Sequence, residues 1–349
     1  MVRAKCFLCA KQSFSMTYSP LVLFGLLLTL TVGQSLGQSA PRRQPVPVIF
    51  DTDMGPDYDD VGAIAILHAL ADSGQAQILA TIASTKYPKV TAVLSVLNTY
   101  FRRPNLPIGV PTGNAITDKD NQHWSDTITA RYPHSIRSNA DVPDAVVLYR
   151  QLLAKQPDRS VTIISVGFMT NLANLLSSSA DKYSPLSGKE LVAKKVKQLV
   201  SMAGKFPSGK EFNVYKDIPA SNKVFANWPT PVLLSGFEIG EQIHSGLPLT
   251  QNPRIRNSPV KDVFAISMAK AKEDAGGRMS WDQTAVLVGI KGYEPFYTVK
   301  SGRLTMNPDG SNGWDTAGKG HQYLVVKMPV PQVEKIINDL MQHQPVKRL

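Results

Sequence analysis

Apolar residues in this chain follow two alternating patterns. Short, almost wholly apolar runs end at polar or glycine-containing turns, as buried strands do, and longer apolar segments typical of helices packed on a sheet separate them. The predicted strands are residues 46–50, 77–83, 106–110, 160–166, 196–202, 231–235, 296–305 and 321–327. The predicted helices are residues 61–70, 91–100, 142–154, 172–177, 189–197, 220–228, 261–273 and 333–343. This alternation predicts a single α/β domain with a mostly parallel, doubly wound sheet flanked by helices.

An unusually acidic run, residues 51–60, closes the first predicted strand. It contains five aspartates, which are Asp51, Asp53, Asp57, Asp59 and Asp60. Because carboxylates repel one another, a folded chain seldom gathers so many without a cation, and such oxygen ligands suit Ca²⁺ or Mg²⁺. Helix capping is the alternative, but it explains only Asp59 or Asp60. In a parallel sheet the run lies at the carboxyl end of a strand, where ligands bind.

The acidic run resembles the N-terminal signature of the inosine/uridine-preferring nucleoside hydrolases, D-x-D-P-G-x-D-D. Met54 replaces the proline, and two extra residues precede the final pair of aspartates. The longer loop leaves open which of Asp57, Asp59 and Asp60 contacts the metal. The resemblance covers residues 46–343 and implies a Ca²⁺-dependent enzyme that hydrolyses the N-glycosidic bond of ribonucleosides.

Three later segments resemble further motifs of the same family. Residues 167–171 match a G-x-x-T-N segment, before which a backbone carbonyl, here that of Val166, ligates calcium. Residues 211–213 match an E-F-N triplet that binds the sugar, and in an extended segment its two polar side chains would face the same way. Asp282, after Trp281, matches a second metal carboxylate. Helix capping alone would also explain Asp282.

The resemblance implies a metal site assembled from distant parts of the chain. Its implied ligands are Asp53, Asp60, Asp282 and the backbone carbonyl of Val166. Asp53 is also the implied general base, which takes a proton from the attacking water. Asp51 and Asp57 are implied to orient these ligands without contacting the ion.

The implied substrate contacts lie beside this metal site. Asp59, Glu211 and Asn213 are expected to bind the sugar, and Trp281 to contact the base. Many family members carry a histidine, which protonates the departing base, at the position of Trp281. Because indole does not act as a general acid but stacks on aromatic rings, the replacement suggests a purine-leaning preference.

Two further residues each have two interpretations. Residues 112–137 are polar and are predicted to form an irregular loop over the site. Within this loop, Trp124 either stacks on the base or anchors the loop to the body of the protein. His321 aligns with a family histidine and either lies near the base or has a structural role.

The first 40 residues have the pattern of a secretory signal peptide. Three basic residues precede an apolar run at 21–32, which is too short for a membrane span, and small residues follow it. We therefore predict a leader at residues 1–40, a catalytic domain at residues 41–349 and an exported protein without a membrane span. Cys6 and Cys9 both lie in the leader, so the mature protein would contain no disulfide.

The charge of the chain does not indicate a nucleic-acid partner. The formal net charge is +11, and removal of the three basic residues of the leader leaves +8. The basic residues are scattered, and their densest cluster, residues 189–197, has the pattern of a solvated amphipathic helix. The expected partner is a small ribonucleoside. Family members often form dimers or tetramers, so a homo-oligomer is compatible with the resemblance.

Two other functions are compatible with parts of the pattern. Phosphatases of the haloacid dehalogenase type also begin with D-x-D after a strand, although Gly55 stands where they carry threonine or valine. An exported nucleoside- or sugar-binding protein would keep the fold without turnover, and the absence of a histidine before Asp282 is consistent with it. Phosphatase assays and the release of free base separate these alternatives.

Overall fold

A computed structural model describes residues 12–13, 15–16 and 44–345 of the chain. Contacts group residues 1–42 in one unit and Arg43–Leu349 in another, and the fold described below is that of the second unit. Apart from four residues, the predicted leader lies outside the described residues, as do both cysteines. The leader therefore stays a prediction.

A nine-stranded sheet runs through the protein, as the alternation of the sequence predicts. The described strands are β1 (Val46–Thr52), β2 (Ala76–Ala83), β3 (Ile108–Gly109), β4 (Val161–Ser165), β5 (Val196–Met202), β6 (Val232–Ser235), β7 (His244–Ser245), β8 (Arg278–Met279), β9 (Tyr297–Met306), β10 (Asn312–Asp315) and β11 (His321–Val326). Their order is β10-β9-β11-β6-β5-β4-β1-β2-β3, and β7 pairs with β8 separately. The seven strands from β11 to the β3 end of this order are all parallel to one another. At the other end, β9 pairs antiparallel with β11 and β10 pairs antiparallel with β9. The predicted α/β class is confirmed.

Helices cover both faces of this sheet. The described helices are α1 (Asp59–Asp72), α2 (Val90–Tyr100), α3 (Trp124–Arg131), α4 (Ala145–Ala154), α5 (Thr170–Ser177), α6 (Gly188–Lys195), α7 (Phe212–Tyr215), α8 (Ile218–Asn227), α9 (Phe237–Gly240), α10 (Leu247–Gln251), α11 (Pro259–Lys270), α12 (Trp281–Lys291) and α13 (Val330–Met341). Successive residues of β4 point into different hydrophobic cores. Ile163 belongs to the core that contains residues of α4, α5, α6 and α8, and Ile164 belongs to the core that contains residues of α1, α2, α11, α12 and α13. This two-residue period is that of a strand buried on both faces.

The prediction of an irregular loop at residues 112–137 is wrong in part, because α3 lies within it. Its buried residues, Trp124, Ser125 and Ile128, fall on one face at helical spacing. The carboxylate of Asp120 accepts hydrogen bonds from the backbone N–H groups of Gln122 (2.7 Å) and Ser125 (2.8 Å), which fixes the turn into the helix. Trp124 is completely buried and therefore anchors this segment.

Of the two roles predicted for His321, a place near the base or a structural role, the structure supports the structural role. It begins β11 opposite Val232, at the amino edge of the sheet and hence away from the acidic run. Its Nδ1 accepts a hydrogen bond from the backbone N–H of Leu304 (3.1 Å), and its ring packs edge-on against Phe225. Burial lowers the pKa of His321 to about 4, so the ring is neutral.

A second buried histidine, His68 in α1, makes the stability of the fold depend on pH. Its Nε2 donates to Asn98 Oδ1 (3.1 Å) and its Nδ1 accepts from Arg103 Nη1 (3.2 Å), an arrangement that suits the neutral ring. Burial, helped by the charge of Arg103, lowers its pKa to about 3. Because the unfolded chain takes up this proton near pH 6.5 and the native state does not, protonation favours unfolding as the pH falls between these values.

We therefore expect the free energy of unfolding to lose up to about 1.4 kcal/mol per pH unit through His68 in this range. Urea unfolding of the wild type and of His68→Gln at pH 7, 6 and 5 measures the effect. At pH 7 the wild type should be the more stable protein, because the variant loses the ring contacts. The difference should shrink as the pH falls, since the two proteins differ only at this residue. A difference that stays constant with pH contradicts the prediction.

Candidate active site

A cleft of about 210 Å³ opens at the carboxyl edge of the sheet, where the acidic run ends β1. The described residues that line it are Asp53, Asp57, Asp59, Val166, Met202, Glu211, Phe212, Asn213, Phe237, Arg278, Trp281 and Asp282. They lie at or after the ends of β1, β4, β5 and β6, at the start of α12 or, for Arg278, in β8. Parallel pairing brings these strand ends together, so residues far apart in sequence meet in one cleft.

The close approach of β1 and β4 requires a glycine. A Cβ on Gly167 would lie 2.4 Å from the backbone nitrogen of Asp53 and 2.8 Å from its Cβ. The backbone N–H of Val166 donates to the carbonyl oxygen of Asp51 at 2.8 Å. Asp53 and Val166, two of the predicted metal ligands, therefore lie beside each other on the wall of the cleft.

The acidic loop turns directly into α1. Asp60, in the first turn of the helix, accepts a hydrogen bond from the Thr52 hydroxyl on Oδ1, while its buried Oδ2 has no hydrogen-bond partner among the described residues. Within those residues, carboxylate oxygens of Asp57, Asp59 and Asp60 lie within 4.8 Å of one another. Such a concentration of negative charge, with a buried unpaired oxygen, fits a bound cation.

The titration of the buried carboxylates supports the same conclusion. Burial, followed by repulsion from neighbouring aspartates, raises the pKa of Asp53, Asp60 and Asp282 well above the ordinary value. Burial and the charge of Asp57 raise the pKa of Asp59 to about 8. A divalent cation would relieve this repulsion and hold the carboxylates in their charged form.

The structure brings the predicted metal ligands to one place, although its tightest acidic group is not the predicted set. Asp53, Asp282 and Val166 all line the cleft, whereas Asp60 is buried outside the lining but close enough for its charge to raise the pKa of Asp53 and Asp282. The group of Asp57, Asp59 and Asp60 shares only Asp60 with the prediction.

Asp51, predicted to orient the ligands, is completely buried and does not line the cleft. Its Oδ2 accepts hydrogen bonds from the Tyr149 hydroxyl (2.8 Å) and from Asn171 Nδ2 (3.0 Å). Burial raises its pKa to about 7, and these hydrogen bonds oppose the shift. Asp57, the other residue predicted to orient ligands, is partly exposed and lies on the cleft wall.

Glu211 and Asn213 line the cleft, but the predicted extended geometry is wrong. Glu211 caps the short helix α7, and its carboxylate accepts from the backbone N–H groups of Gly204 (3.1 Å), Asn213 (2.8 Å) and Val214 (3.2 Å). These buried amides need an acceptor, and the side chain of Glu211 supplies it. Burial nevertheless raises the pKa of Glu211 to about 7.

Asn213 contacts the predicted carbonyl ligand directly. Its Nδ2 donates to the carbonyl oxygens of Val166 and Met202, both at 3.2 Å. A carbonyl oxygen has two lone pairs, so that of Val166 can accept this bond and still offer the second to a cation. Because none of the described residues donates to the Oδ1 of Asn213, this oxygen can accept a hydrogen bond from a sugar hydroxyl.

Trp281 forms part of the aromatic wall of the cleft. Its Nε1 donates to the carbonyl oxygen of Phe237 (2.9 Å), and the two rings lie 5.1 Å apart. The guanidinium of Arg278 lies 5.1 Å from the centre of the same indole. The indole N–H is therefore already paired, and the ring can contact a base only where these neighbours leave it exposed.

The sequence analysis gave no role to four of the cleft residues, which are Met202, Phe212, Phe237 and Arg278. Arg278 occupies a two-residue strand outside every motif, and it forms ion pairs with Asp57 (2.8 Å) and Asp59 (3.3 Å). The one signal that could have found it is the excess of aspartates, which calls for a nearby cation. Phe237 begins a four-residue helix, which is too short to show periodicity.

Comparison with known proteins yields a family and a fold. The sequence profile of the inosine-uridine preferring nucleoside hydrolase family matches residues 48–318. The pyrimidine-specific ribonucleoside hydrolase RihA of Citrobacter koseri is 28% identical over 232 residues, which are 63% of this chain and 69% of that protein. The chain spans a smaller share, 63%, of the corresponding protein of Salmonella agona.

Solved structures show the same fold at lower identity. A plant nucleoside hydrolase superposes with a TM-score of 0.65 at 19% identity, covering 85% of this chain and 99% of that one. The purine-preferring ribonucleoside hydrolase of Gardnerella vaginalis gives a TM-score of 0.62 at 18% identity with the same coverage. Within the described residues, none of the helices combines the length and hydropathy needed to span a bilayer.

Proposed function

Because this chain belongs to the inosine-uridine preferring nucleoside hydrolase family, we propose that it hydrolyses the N-glycosidic bond of ribonucleosides to ribose and free base, with Ca²⁺ as its metal. One observation carries the proposal. Asp53 and Asp282, from opposite ends of the domain sequence, line one cleft together with Glu211 and Asn213. The cleft thus combines acids for a cation, polar groups for a sugar and an aromatic wall for a base.

The residues present fit a hard cation. We propose Asp53, Asp60, Asp282 and the Val166 carbonyl as its ligands, since Arg278 already neutralises part of the charge of Asp57 and Asp59. The unpaired Oδ2 of Asp60 supports this assignment. When bound, Ca²⁺ would coordinate oxygen ligands and so orient a water and the ribose hydroxyls.

Asp53 is the proposed general base. Its carboxylate lies on the cleft wall beside Val166, and it takes the proton that the attacking water loses as the new C–O bond forms. The sugar passes through a transition state with oxocarbenium character, and the surrounding carboxylates stabilise this positive charge. Asp59 and Asn213 bind the sugar hydroxyls, and Glu211, whose carboxylate caps α7, holds Asn213 and the cleft wall in place.

The base lies against the apolar wall formed by Trp281, Phe237 and Phe212. Aromatic and apolar surface of this kind accepts either class of base, and the names of the relatives include pyrimidine-specific and purine-preferring enzymes. The purine-leaning preference stays a prediction from Trp281.

A panel of inosine, adenosine, guanosine, uridine and cytidine, assayed by HPLC for free base with Ca²⁺ present, tests the proposed function. We expect release of at least one base together with ribose in equal amounts. Binding measured by calorimetry without any release over hours would instead support the binding-protein alternative. Family membership speaks against the phosphatase alternative, and phosphatase substrates with Mg²⁺ serve as the control.

We further propose that the protein is exported and that residues 1–40 are removed. Only the sequence pattern of those residues supports this proposal. The native host should contain the protein outside the cytoplasm, with an N-terminus near residue 41 by Edman sequencing. Full-length protein confined to the cytoplasmic fraction would contradict it. Light scattering of the same material determines whether the protein forms the homo-oligomer with which the resemblance is compatible.

A further inference from the structure

Arg278 lies in the wall of the cleft between two aromatic rings, with 13% of its side chain exposed. Its guanidinium carbon lies 5.2 Å from the ring centre of Tyr58 and 5.1 Å from that of Trp281. Its Nη2 donates to Asp57 Oδ2 (2.8 Å) and to Asp59 Oδ1 (3.3 Å). These contacts hold the guanidinium against the indole at the end of the cleft proposed to receive the base.

One edge of this guanidinium keeps its hydrogen-bonding capacity. Nη1 makes no hydrogen bond with the described residues, and its ion pair with Asp274 Oδ2 is long, at 3.7 Å. Burial works against the charge, but Asp57, Asp59 and Asp274 outweigh it and keep the pKa of Arg278 above its ordinary value. Arg278 is therefore a permanently charged donor.

No other residue of the described cleft lining carries a positive charge. The remaining lining consists of acids, apolar side chains and Asn213. The indole N–H of Trp281 is paired with the Phe237 carbonyl, so it is not available to a base. Among the described lining residues, Arg278 is thus the one cationic side chain that can stabilise negative charge developing on a base in this cleft.

Resting on the proposed function, we propose that Arg278 is a catalytic residue that stabilises the departing base. When the C–N bond breaks, its electron pair moves onto the base nitrogen. A donor placed where charge develops lowers the barrier more than one that only binds the ground state. Arg278 Nη1 donates a hydrogen bond to the developing anion and so stabilises the leaving base without protonating it, in a chain that has no histidine before Asp282.

The protons balance without a side-chain acid toward the base. The oxygen of the attacking water bonds to the sugar carbon that carried the base, and one proton of this water passes to Asp53. The base anion, held by Arg278, takes a proton from solvent, and Asp53 returns its proton to solvent. Arg278 keeps its own proton throughout.

The inserted acidic loop explains why the guanidinium lies there. The longer loop carries Asp57, and the Asp57–Arg278 ion pair joins this loop to the segment that leads into Asp282. Tyr58, the next residue, donates its hydroxyl proton to Asp274 at 2.6 Å and closes the network on the other side. Nη2 is thus fixed by the loop, while Nη1, 3.7 Å from Asp274, makes no hydrogen bond with the described residues.

Two substrates that differ in their leaving group test this role. We compare kcat on the nucleoside that the wild type cleaves best with kcat on 4-nitrophenyl β-D-ribofuranoside, whose leaving group departs as a stable anion. For Arg278→Met we expect a loss of roughly 10²-fold on the nucleoside, the size of a lost transition-state donor, and little change on the nitrophenyl riboside. Arg254→Met, at an exposed arginine, is the matched control and should leave both rates unchanged.

Equal losses on both substrates would overturn the inference, because they would show that Arg278 only supports the cleft. Should Arg278→Met fail to fold, Arg278→Lys carries the test, since it keeps the charge beside Asp57 but loses the second amino group. It should show the same selective loss on the nucleoside. A wild type that cleaves neither substrate would remove the proposed function and this inference together. Cleavage of both substrates with no effect of either variant would remove the inference alone.

Discussion

Replacing Asp53 with asparagine lowers kcat for nucleoside cleavage by roughly two orders of magnitude or more, the range of a lost general base. The amide is nearly the same size as the carboxylate but cannot accept the proton of water. It also contributes one negative charge less to the cation. HPLC of released base, with the wild type beside the variant at saturating Ca²⁺, measures the loss.

Stability measurements separate this chemical effect from unfolding. Burial and the charges of Asp60, Asp57 and Asp59 raise the pKa of Asp53. Without the metal, a negative charge on Asp53 therefore does not stabilise the folded protein. Metal-free Asp53→Asn should therefore unfold at the same temperature as the wild type or above it. Asp158→Asn, at an exposed residue paired with Lys195 near the opposite edge of the sheet, is the control and should keep full activity. Full activity of Asp53→Asn would remove Asp53 from the mechanism.

Removal of calcium should have an effect of similar size. Enzyme treated with EGTA and separated from the chelate is expected to release base at less than about 1% of the wild-type rate, since the water and the sugar lose their common anchor. Added Ca²⁺ should restore the rate. The metal should also raise the free energy of unfolding, by about 2.7 kcal/mol at a concentration one hundred times its Kd.

The same experiment has a pH dependence with a defined sign. Burial raises the pKa of Asp51 and Glu211 to about 7 and, with the charge of Asp57, that of Asp59 to about 8. Through these carboxylates the metal-free native state binds more protons than the unfolded chain between pH 4 and 8, so their contribution to stability falls as the pH rises, opposite in sign to that of His68. Ca²⁺ should flatten this slope, because it replaces the protons near Asp59. EGTA-treated enzyme that stays fully active and shows no change in unfolding would contradict the metal site.

The fold could be predicted because its signal is repeated along the whole chain. Each central strand is apolar on both faces, as the division of Ile163 and Ile164 between two cores shows. Such strands, separated by helices, leave few arrangements other than a parallel sheet. Parallel strands also fix which edge holds the site, so the acidic run, Val166 and Asn213 could be placed together before any coordinates.

What could not be predicted depends on contacts between distant residues. Glu211 caps α7 because three buried amide N–H groups converge on its carboxylate. Two of these groups belong to α7 itself, which begins within the segment 211–213 that the sequence analysis predicted to be extended. Arg278 has no motif, and its role follows from the position of Asp57, more than two hundred residues away in sequence. α3 has few apolar residues, so its helix depends on burial of Trp124 and Ile128.

A crystal structure of the Ca²⁺-loaded enzyme, with the anomalous signal of the ion recorded, is the most direct measurement of the shared metal site. One peak in the cleft, contacted by Asp53, Asp60, Asp282 and the carbonyl oxygen of Val166, is the expected result. An ion bound only by Asp57 and Asp59, or a cleft without an ion at saturating calcium, would contradict the site on which the proposed reaction depends.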